Sequence, residues 1–262
     1  MSKNHINPAS VSYRHTQNYL TSEKTIKKLL HLTNICGNDT VVEIGAGKGH
    51  ITKALLQKSN MVIASEIDRT LYKALNKKFE NQKRLSLLNT DFLKTRLPQS
   101  EYKVFSNIPF SISTDIVRKL TQSENPPSDA WLVMEKGAAK RFCGKPAENL
   151  NSLLLKPFFD LKTVYHFKRE DFHPKPGVDV VLLYIQRKEV PDIPRSEQHE
   201  YRRFVSNSFK YGLFGRNALL TKNQIYSSLR QSKLEPVKQG GDILYIQWLC
   251  LFRSWLRYKK HN

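Results

Sequence analysis

The chain has 262 residues, 39% hydrophobic and 10% aromatic, enough for one large domain or one with a small appendage. Its 43 Lys and Arg against 23 Asp and Glu leave a formal net charge of +20, a self-repulsion that a polyanionic partner relieves; nucleic acid is expected first and an anionic membrane surface second. Three scattered cysteines (Cys36, Cys143, Cys250) without a Cys-x-x-Cys pair give zinc no support and no metal is expected, and no apolar run is long enough to span a bilayer.

Residues 1–16, with Lys3, His5, Arg14 and His15, read as a basic N-terminal arm. Ile26, Leu29 and Leu30 place a helix over Lys24–Leu32. Strand-like runs follow at Thr40–Ile44, Met61–Ile67, Leu85–Leu88, Tyr102–Ser106 and Ala130–Met134. Helical patterns lie among them at His50–Leu56, Leu71–Phe79 and Ile112–Leu120. This alternation implies a mostly parallel, doubly wound α/β sheet. Two further strand-like runs, Thr163–Phe167 and Val178–Gln186, are separated by a proline-rich loop and read as a closing antiparallel pair. Val190–Pro194 marks a boundary. Beyond it, three apolar stripes predict a small all-α domain: Tyr201, Phe204, Val205 and Phe209; Ile225 and Leu229; and Ile246, Leu249, Phe252 and Leu256. Basic residues, among them Arg202, Lys210, Arg253 and Lys259, lie on its outer faces.

Glycines 45, 47 and 49 follow the first long strand in Glu43-Ile44-Gly45-Ala46-Gly47-Lys48-Gly49-His50. Such a turn lets a ligand approach the backbone and opens the next helix. A phosphate-binding P-loop is excluded, because Gly49 takes the hydroxyl position and Val42 the first glycine position. A dinucleotide fingerprint is weakened by His50. An adenosyl amino acid without phosphates remains, as does a tight turn that binds nothing. Glu66, about 20 residues on, sits where a carboxylate accepts from ribose hydroxyls, and Ile67 beside it offers an apolar face. Asp91, before Phe92, falls just after the third strand, where a carboxylate could accept a bond from an adenine amino group.

The fourth strand ends in Ser106-Asn107-Ile108-Pro109-Phe110. An adenine amine is a poor nucleophile because its lone pair is delocalised into the ring. Accepting both amino protons, on the Asn107 side-chain oxygen and the Ile108 carbonyl, favours a pyramidal nitrogen with its lone pair aimed at a methyl donor. Pro109 fixes the backbone there, and Phe110 offers a stacking face. An Asn-x-Pro turn without chemistry is the bland alternative. Likewise, Phe172-His173-Pro174-Lys175-Pro176 is either a stiff loop holding an aromatic ring over the sheet edge or a core phenylalanine in a proline turn.

Taken with Gln17-Asn18-Tyr19-Leu20, these motifs resemble the ribosomal RNA adenine dimethyltransferase family over residues 12–230 or so. The resemblance implies a Rossmann-like class I methyltransferase sheet with a small C-terminal all-α domain. It divides the chain into the arm (1–16), an S-adenosylmethionine-binding catalytic domain (17–187) and a helical RNA-binding domain (195–262). It implies cofactor contacts from Asn18, Leu20, Gly45, Gly47, Glu66, Ile67, Asp91, Phe92 and Asn107. Catalysis falls to Asn107, Ile108, Pro109 and Phe110, and the target base stacks between Phe110 and Phe172. Lys140, Arg141 and Lys168 are expected on RNA phosphates.

Glu135-Lys136-Gly137-Ala138-Ala139-Lys140-Arg141 and Leu220-Thr221-Lys222-Asn223-Gln224 lean towards the family's erythromycin-resistance (Erm) branch. That branch implies N6-methylation, once or twice, of a single adenine in 23S rRNA at the peptidyl-transferase centre, with macrolide, lincosamide and streptogramin B resistance. The target base must leave its stack, which favours an RNA loop or unstructured segment, and assembled ribosomes would bury such a site, so naked or immature rRNA is expected. The alternatives are a small-subunit rRNA dimethyltransferase and a non-catalytic nucleic-acid-binding factor on the same fold. Tyr19, Phe110 and Val180 depart from the family's usual phenylalanine, tyrosine and serine. A monomer is expected. The polar Met1–Ser10 lacks the apolar core of a signal peptide, so a cytoplasmic location is expected.

Overall fold

The computed structural model describes residues 18–237 and 241–260. The expected arm over 1–16 and Gln17 lie outside the described residues. In chain order the strands are β1 (Tyr19–Leu20), β2 (Thr40–Ile44), β3 (Met61–Ser65), β4 (Leu85–Leu88), β5 (Lys103–Asn107), β6 (Asp129–Glu135), β7 (Phe159–His166), β8 (Phe172–His173) and β9 (Val180–Arg187). The helices are α1 (Glu23–His31), α2 (His50–Lys58), α3 (Arg69–Lys78), α4 (Ser113–Gln122), α5 (Lys136–Phe142), α6 (Leu150–Leu155), α7 (Gln198–Tyr211), α8 (Lys222–Gln231) and α9 (Tyr245–Lys260). Each strand of the predicted alternation is present, while α5 and α6 are additional to it.

Seven strands form one sheet in the order β4-β3-β2-β5-β6-β9-β7. β2 to β6 pair in parallel, and β9 returns antiparallel to β6. Val41, Val42 and Ile44 of β2 and residues 130–134 of β6 are buried, as expected for strands covered on both faces. The chain steps outward from β2 to β4, then crosses back to β5 on the other side of β2. That reversal opens a crevice at the strands' C-terminal ends. The β2–β5 ladder pairs Val41 with Lys103 and Val42 with Val104. Nearer the crevice a side chain takes over: Ser106 Oγ accepts from Ile44 N at 3.2 Å and donates to Ile44 O at 2.5 Å.

The chain divides into two compact units: one holds residues up to Ala139 with Leu161–Arg187, the other Lys140–Asp160 with the residues from Lys188 onward. The expected catalytic segment 17–187 is therefore interrupted. Lys140–Asp160 joins the helical unit because α6 buries Leu153 and Leu155, packs with α7, and is followed by Phe158, whose carbonyl accepts from Lys188 N at 2.9 Å. A six-residue helix carries too little periodicity to be read from sequence. In the second unit Tyr201 and Phe204 of α7 pack on Phe252 and Trp255 of α9, with ring centroids 5.0–6.3 Å apart across this cluster and Trp248. The third predicted stripe shifts on its helix. Ile246 is 49% exposed, and Trp248, Leu251 and Trp255 join Leu249 and Phe252 inside.

Candidate active site

β2 ends at Ile44 and enters a bend in which Gly45, Gly47 and Gly49 have φ of +72°, +56° and +75°. A side chain on Gly45 would meet nothing within 4 Å, because that position faces open space. A Cβ on Gly49 would instead come within 2.6 Å of Leu75 and 2.8 Å of Phe79, so that glycine lets α3 pack against the bend. Gly45 N and Ala46 N both donate to Ser65 O, at 2.9 and 3.0 Å, tying the bend to the end of β3.

Glu66 follows β3 and is buried. Its Oε2 accepts from Gly47 N and its Oε1 from Asp68 N, each at 2.8 Å. Burial raises its pKa, and these two backbone N–H groups oppose the rise. Each carboxylate oxygen has capacity for a further donor. Asn89 Nδ2 donates to Glu66 O at 2.8 Å and holds the backbone here. Glu43, on β2, is also buried; its Oε2 accepts from Thr52 Oγ1 at 2.6 Å, fastening the strand before the bend to the helix after it. Burial pushes the Glu43 carboxyl up to about 8.

At the crevice, one compartment is walled by Gly45, Glu66, Ile67, Asp91 and Phe92. Ile67 is 48% exposed there, a large apolar face left open. Asp91 Oδ1 accepts from Leu93 N at 2.9 Å, capping the turn that follows β4. A second compartment is walled by Asn18, Tyr19, Gly45 and Asn107 through Phe110. Gly45 and Pro109 belong to both.

Asn107 closes β5 at the second compartment. Its Nδ2 donates to Asn18 O at 2.7 Å. A carbonyl partner requires the nitrogen on that side, so the orientation of the amide is fixed by the network. Asn107 Oδ1 is left buried with no hydrogen-bond partner among the described residues. A buried acceptor without a donor costs about 1–3 kcal/mol, and one lining a cleft signals a donor that arrives with a ligand. Ile108 N donates to Val133 O at 3.2 Å, which anchors the residue whose carbonyl is the second expected acceptor.

Two expected contacts sit differently. Leu20 is only 3% exposed and pairs through β1 with Phe172 of β8, so it supports the cleft from the core while Asn18 and Tyr19 line it. Phe172 is likewise 3% exposed, with its ring 5.1 Å from that of Phe167. Its stacking face is covered in this structure, whereas Phe110 is half-buried at the cleft. Lys168 is exposed on the turn before β8, and Lys140 and Arg141 are exposed in the second unit. Sequence reasoning passed over Tyr19 as a lining residue. Its ring lies within 2.8 Å of a Cβ built on Gly47 and under Lys48 Nζ at 5.2 Å.

A doubly wound sheet with a glycine bend, a buried carboxylate after β3 and an unpartnered amide oxygen at the end of β5 defines a Rossmann-like methyltransferase. S-adenosylmethionine fits this lining: Glu66 can take ribose hydroxyls, Ile67 the adenine face, and the open side of Gly45 the amino-acid portion. The chain matches the ribosomal RNA adenine dimethylase family model over residues 10–235. It is 36% identical over 241 residues to an rRNA adenine N-6-methyltransferase of Staphylococcus aureus, covering 92% of this chain and 95% of the relative. The fold aligns with the 23S rRNA methyltransferase ErmE at a TM-score of 0.80 and 24% identity, over 91% of this chain and 99% of that one. A dimethyladenosine transferase from Plasmodium falciparum aligns at 0.70 and 21% identity, over 92% and 97%. The chain belongs to the ribosomal RNA adenine dimethylase family, whose members are S-adenosylmethionine-dependent rRNA adenine N6-methyltransferases. Among the described residues no helix is long and apolar enough to cross a membrane.

Proposed function

We propose that this protein methylates the N6 of a single adenine in 23S rRNA at the peptidyl-transferase centre, once or twice, and so confers macrolide, lincosamide and streptogramin B resistance. The observation that carries the chemistry is the orphaned Asn107 Oδ1 beside Gly45 and Phe110. S-adenosylmethionine supplies an electrophilic methyl group. The chain supplies position: Asn107 Oδ1 and the Ile108 carbonyl accept the two amino protons, and the half-buried Phe110 ring supports the base. The target base must leave its stack for its N6 to reach the methyl donor, and an assembled ribosome would bury such a site, so we take naked or immature rRNA as the substrate. We take the enzyme to act as a monomer in the cytoplasm. Lys140, Arg141 and Lys168, all exposed, serve RNA phosphates.

The 23S assignment is supported by the Glu135–Arg141 and Leu220–Gln224 segments, which lean to the Erm branch. Expression in a macrolide-sensitive bacterium, with mass spectrometry of nuclease fragments from both large rRNAs, tests it. A gain of one or two methyl masses at a single 23S adenine together with drug resistance is expected. Methylation of two adjacent adenines near the end of the small-subunit rRNA, without resistance, would assign the enzyme to ribosome biogenesis instead.

A further inference from the structure

The second unit contains a cleft that the methyl-transfer chemistry does not use. It lies between the loop that follows α7, the start of α8 and the end of α9, with a volume of about 530 Å³. Its walls are of two kinds. Phe214 and Tyr258 present half-buried rings, above the buried Trp255. Arg216, Lys222 and Lys259 present exposed cations. Among the described residues no acidic side chain lines it. Lys259 is held at 3.1 Å from Glu200 and 5.4 Å from the Trp255 ring, while neither Arg216 nor Lys222 meets a carboxylate among the described residues.

The loop that makes one wall is tightly built. A Cβ on Gly215 would fall 1.8 Å from Tyr211 O, so only glycine lets the chain fold back on the end of α7. Thr221 and Gln224 form a reciprocal cap, with Thr221 N to Gln224 Oε1 at 2.8 Å and Gln224 N to Thr221 Oγ1 at 3.2 Å, which fixes the start of α8. The rings are therefore presented on a shaped surface.

Aromatic faces interleaved with cations, without acids, match a flexible single-stranded polyanion whose bases can stack. A duplex offers no free base faces and would use the cations alone. We propose that this cleft binds an unpaired nucleotide segment of the RNA substrate, its bases on Phe214 and Tyr258 and its phosphates on Arg216 and Lys222. The assignment deepens the proposed function by naming a second RNA site, and it rests on that reading only for the identity of the RNA.

The test is fluorescence anisotropy of full-length protein with a single-stranded oligoribonucleotide and, in parallel, an RNA duplex of equal length, titrated at several salt concentrations. An Arg216→Gln, Lys222→Gln double variant should lower the salt slope for the single strand by about 1.4, from about 0.7 per phosphate contact. Tyr258→Leu should weaken single-strand binding by about fivefold or more and leave the duplex unchanged. Both variants should keep the wild-type melting temperature and cofactor affinity, since the altered residues lie outside the cofactor cleft. Unchanged single-strand affinity and slope in both variants would overturn the proposal, as would equal losses on duplex and single strand with Tyr258→Leu. Wild-type protein that methylates no rRNA while the variants still lose oligonucleotide binding would reject the proposed function and leave the cleft standing.

Discussion

Asn107 Nδ2 donates to the carbonyl oxygen of Asn18 at 2.7 Å, a bond between residues 89 positions apart. It turns the amide so that its oxygen remains buried and unspent. This acceptor is available at no cost in reorganisation when an amine arrives, which is where electrostatic preorganisation is most effective.

Removing that acceptor should therefore harm transfer more than cofactor binding. Asn107→Ala is expected to lower the single-turnover methylation rate by roughly 100- to 1000-fold. Asn107→Asp keeps an acceptor facing the amine but replaces the donor to the Asn18 carbonyl with a second oxygen, so it too should be severely impaired. Rapid-quench methylation with titration calorimetry of the cofactor checks both; near-wild-type transfer by the aspartate variant would show that the bond to Asn18 does not set the geometry.

Gly45 and Gly49 share a left-handed backbone but face different surroundings. Gly45→Ala should cost about 1–3 kcal/mol of stability through strain alone, and its methyl would enter the cofactor cleft and abolish binding. Gly49→Ala adds contacts at 2.6 and 2.8 Å to Leu75 and Phe79 and should be the less stable of the two by a further 1–3 kcal/mol or so. Denaturant melts beside cofactor titrations separate them. The idea fails if Gly45→Ala binds cofactor normally.

Glu43 links stability to pH. Its folded pKa of about 8 lies above the ordinary value of 4.5, so the folded state holds a proton that the unfolded chain releases. This contribution is fully present below about pH 4.5 and is lost as pH rises through 8. Glu43→Gln mimics the protonated form and keeps the polar contact with Thr52. It should be more stable than wild type at pH 9, by an amount on the order of a few kcal/mol, and converge with it near pH 5, as denaturant melts at each pH would read. Parallel melting curves across that range would refute the assignment.

Ser106 bridges β2 and β5 where their ladder gives way. Ser106→Ala leaves Ile44 N and Ile44 O without the hydroxyl they share and should cost about 1–3 kcal/mol. Because Ile44 leads directly into Gly45, cofactor affinity should fall with stability. A variant of wild-type stability and affinity would show that the bridge is dispensable.

Much of this protein was legible as a string. The alternation of β-branched runs with helical periodicity located β2 to β6 along the chain and implied that they pair mostly in parallel, because both periods are local properties of a few residues. Glu43–Gly49, Glu66 and Asn107–Phe110 stood out in the sequence because each lies at or just past a strand end, and strand ends are marked by short-range turn chemistry. The +20 charge pointed to a polyanion without any structure.

Only the tertiary structure decided which way those groups face. No local signal pairs Asn107 with Asn18, buries Phe172 against Phe167, or moves Lys140–Asp160 into the helical unit. The same holds for the C-terminal cleft, where Phe214 and Tyr258 lie far apart in sequence. Propensity acts over a turn or a strand. Burial, side-chain direction and the leftover valence of a polar atom depend on neighbours that the folded chain brings from elsewhere.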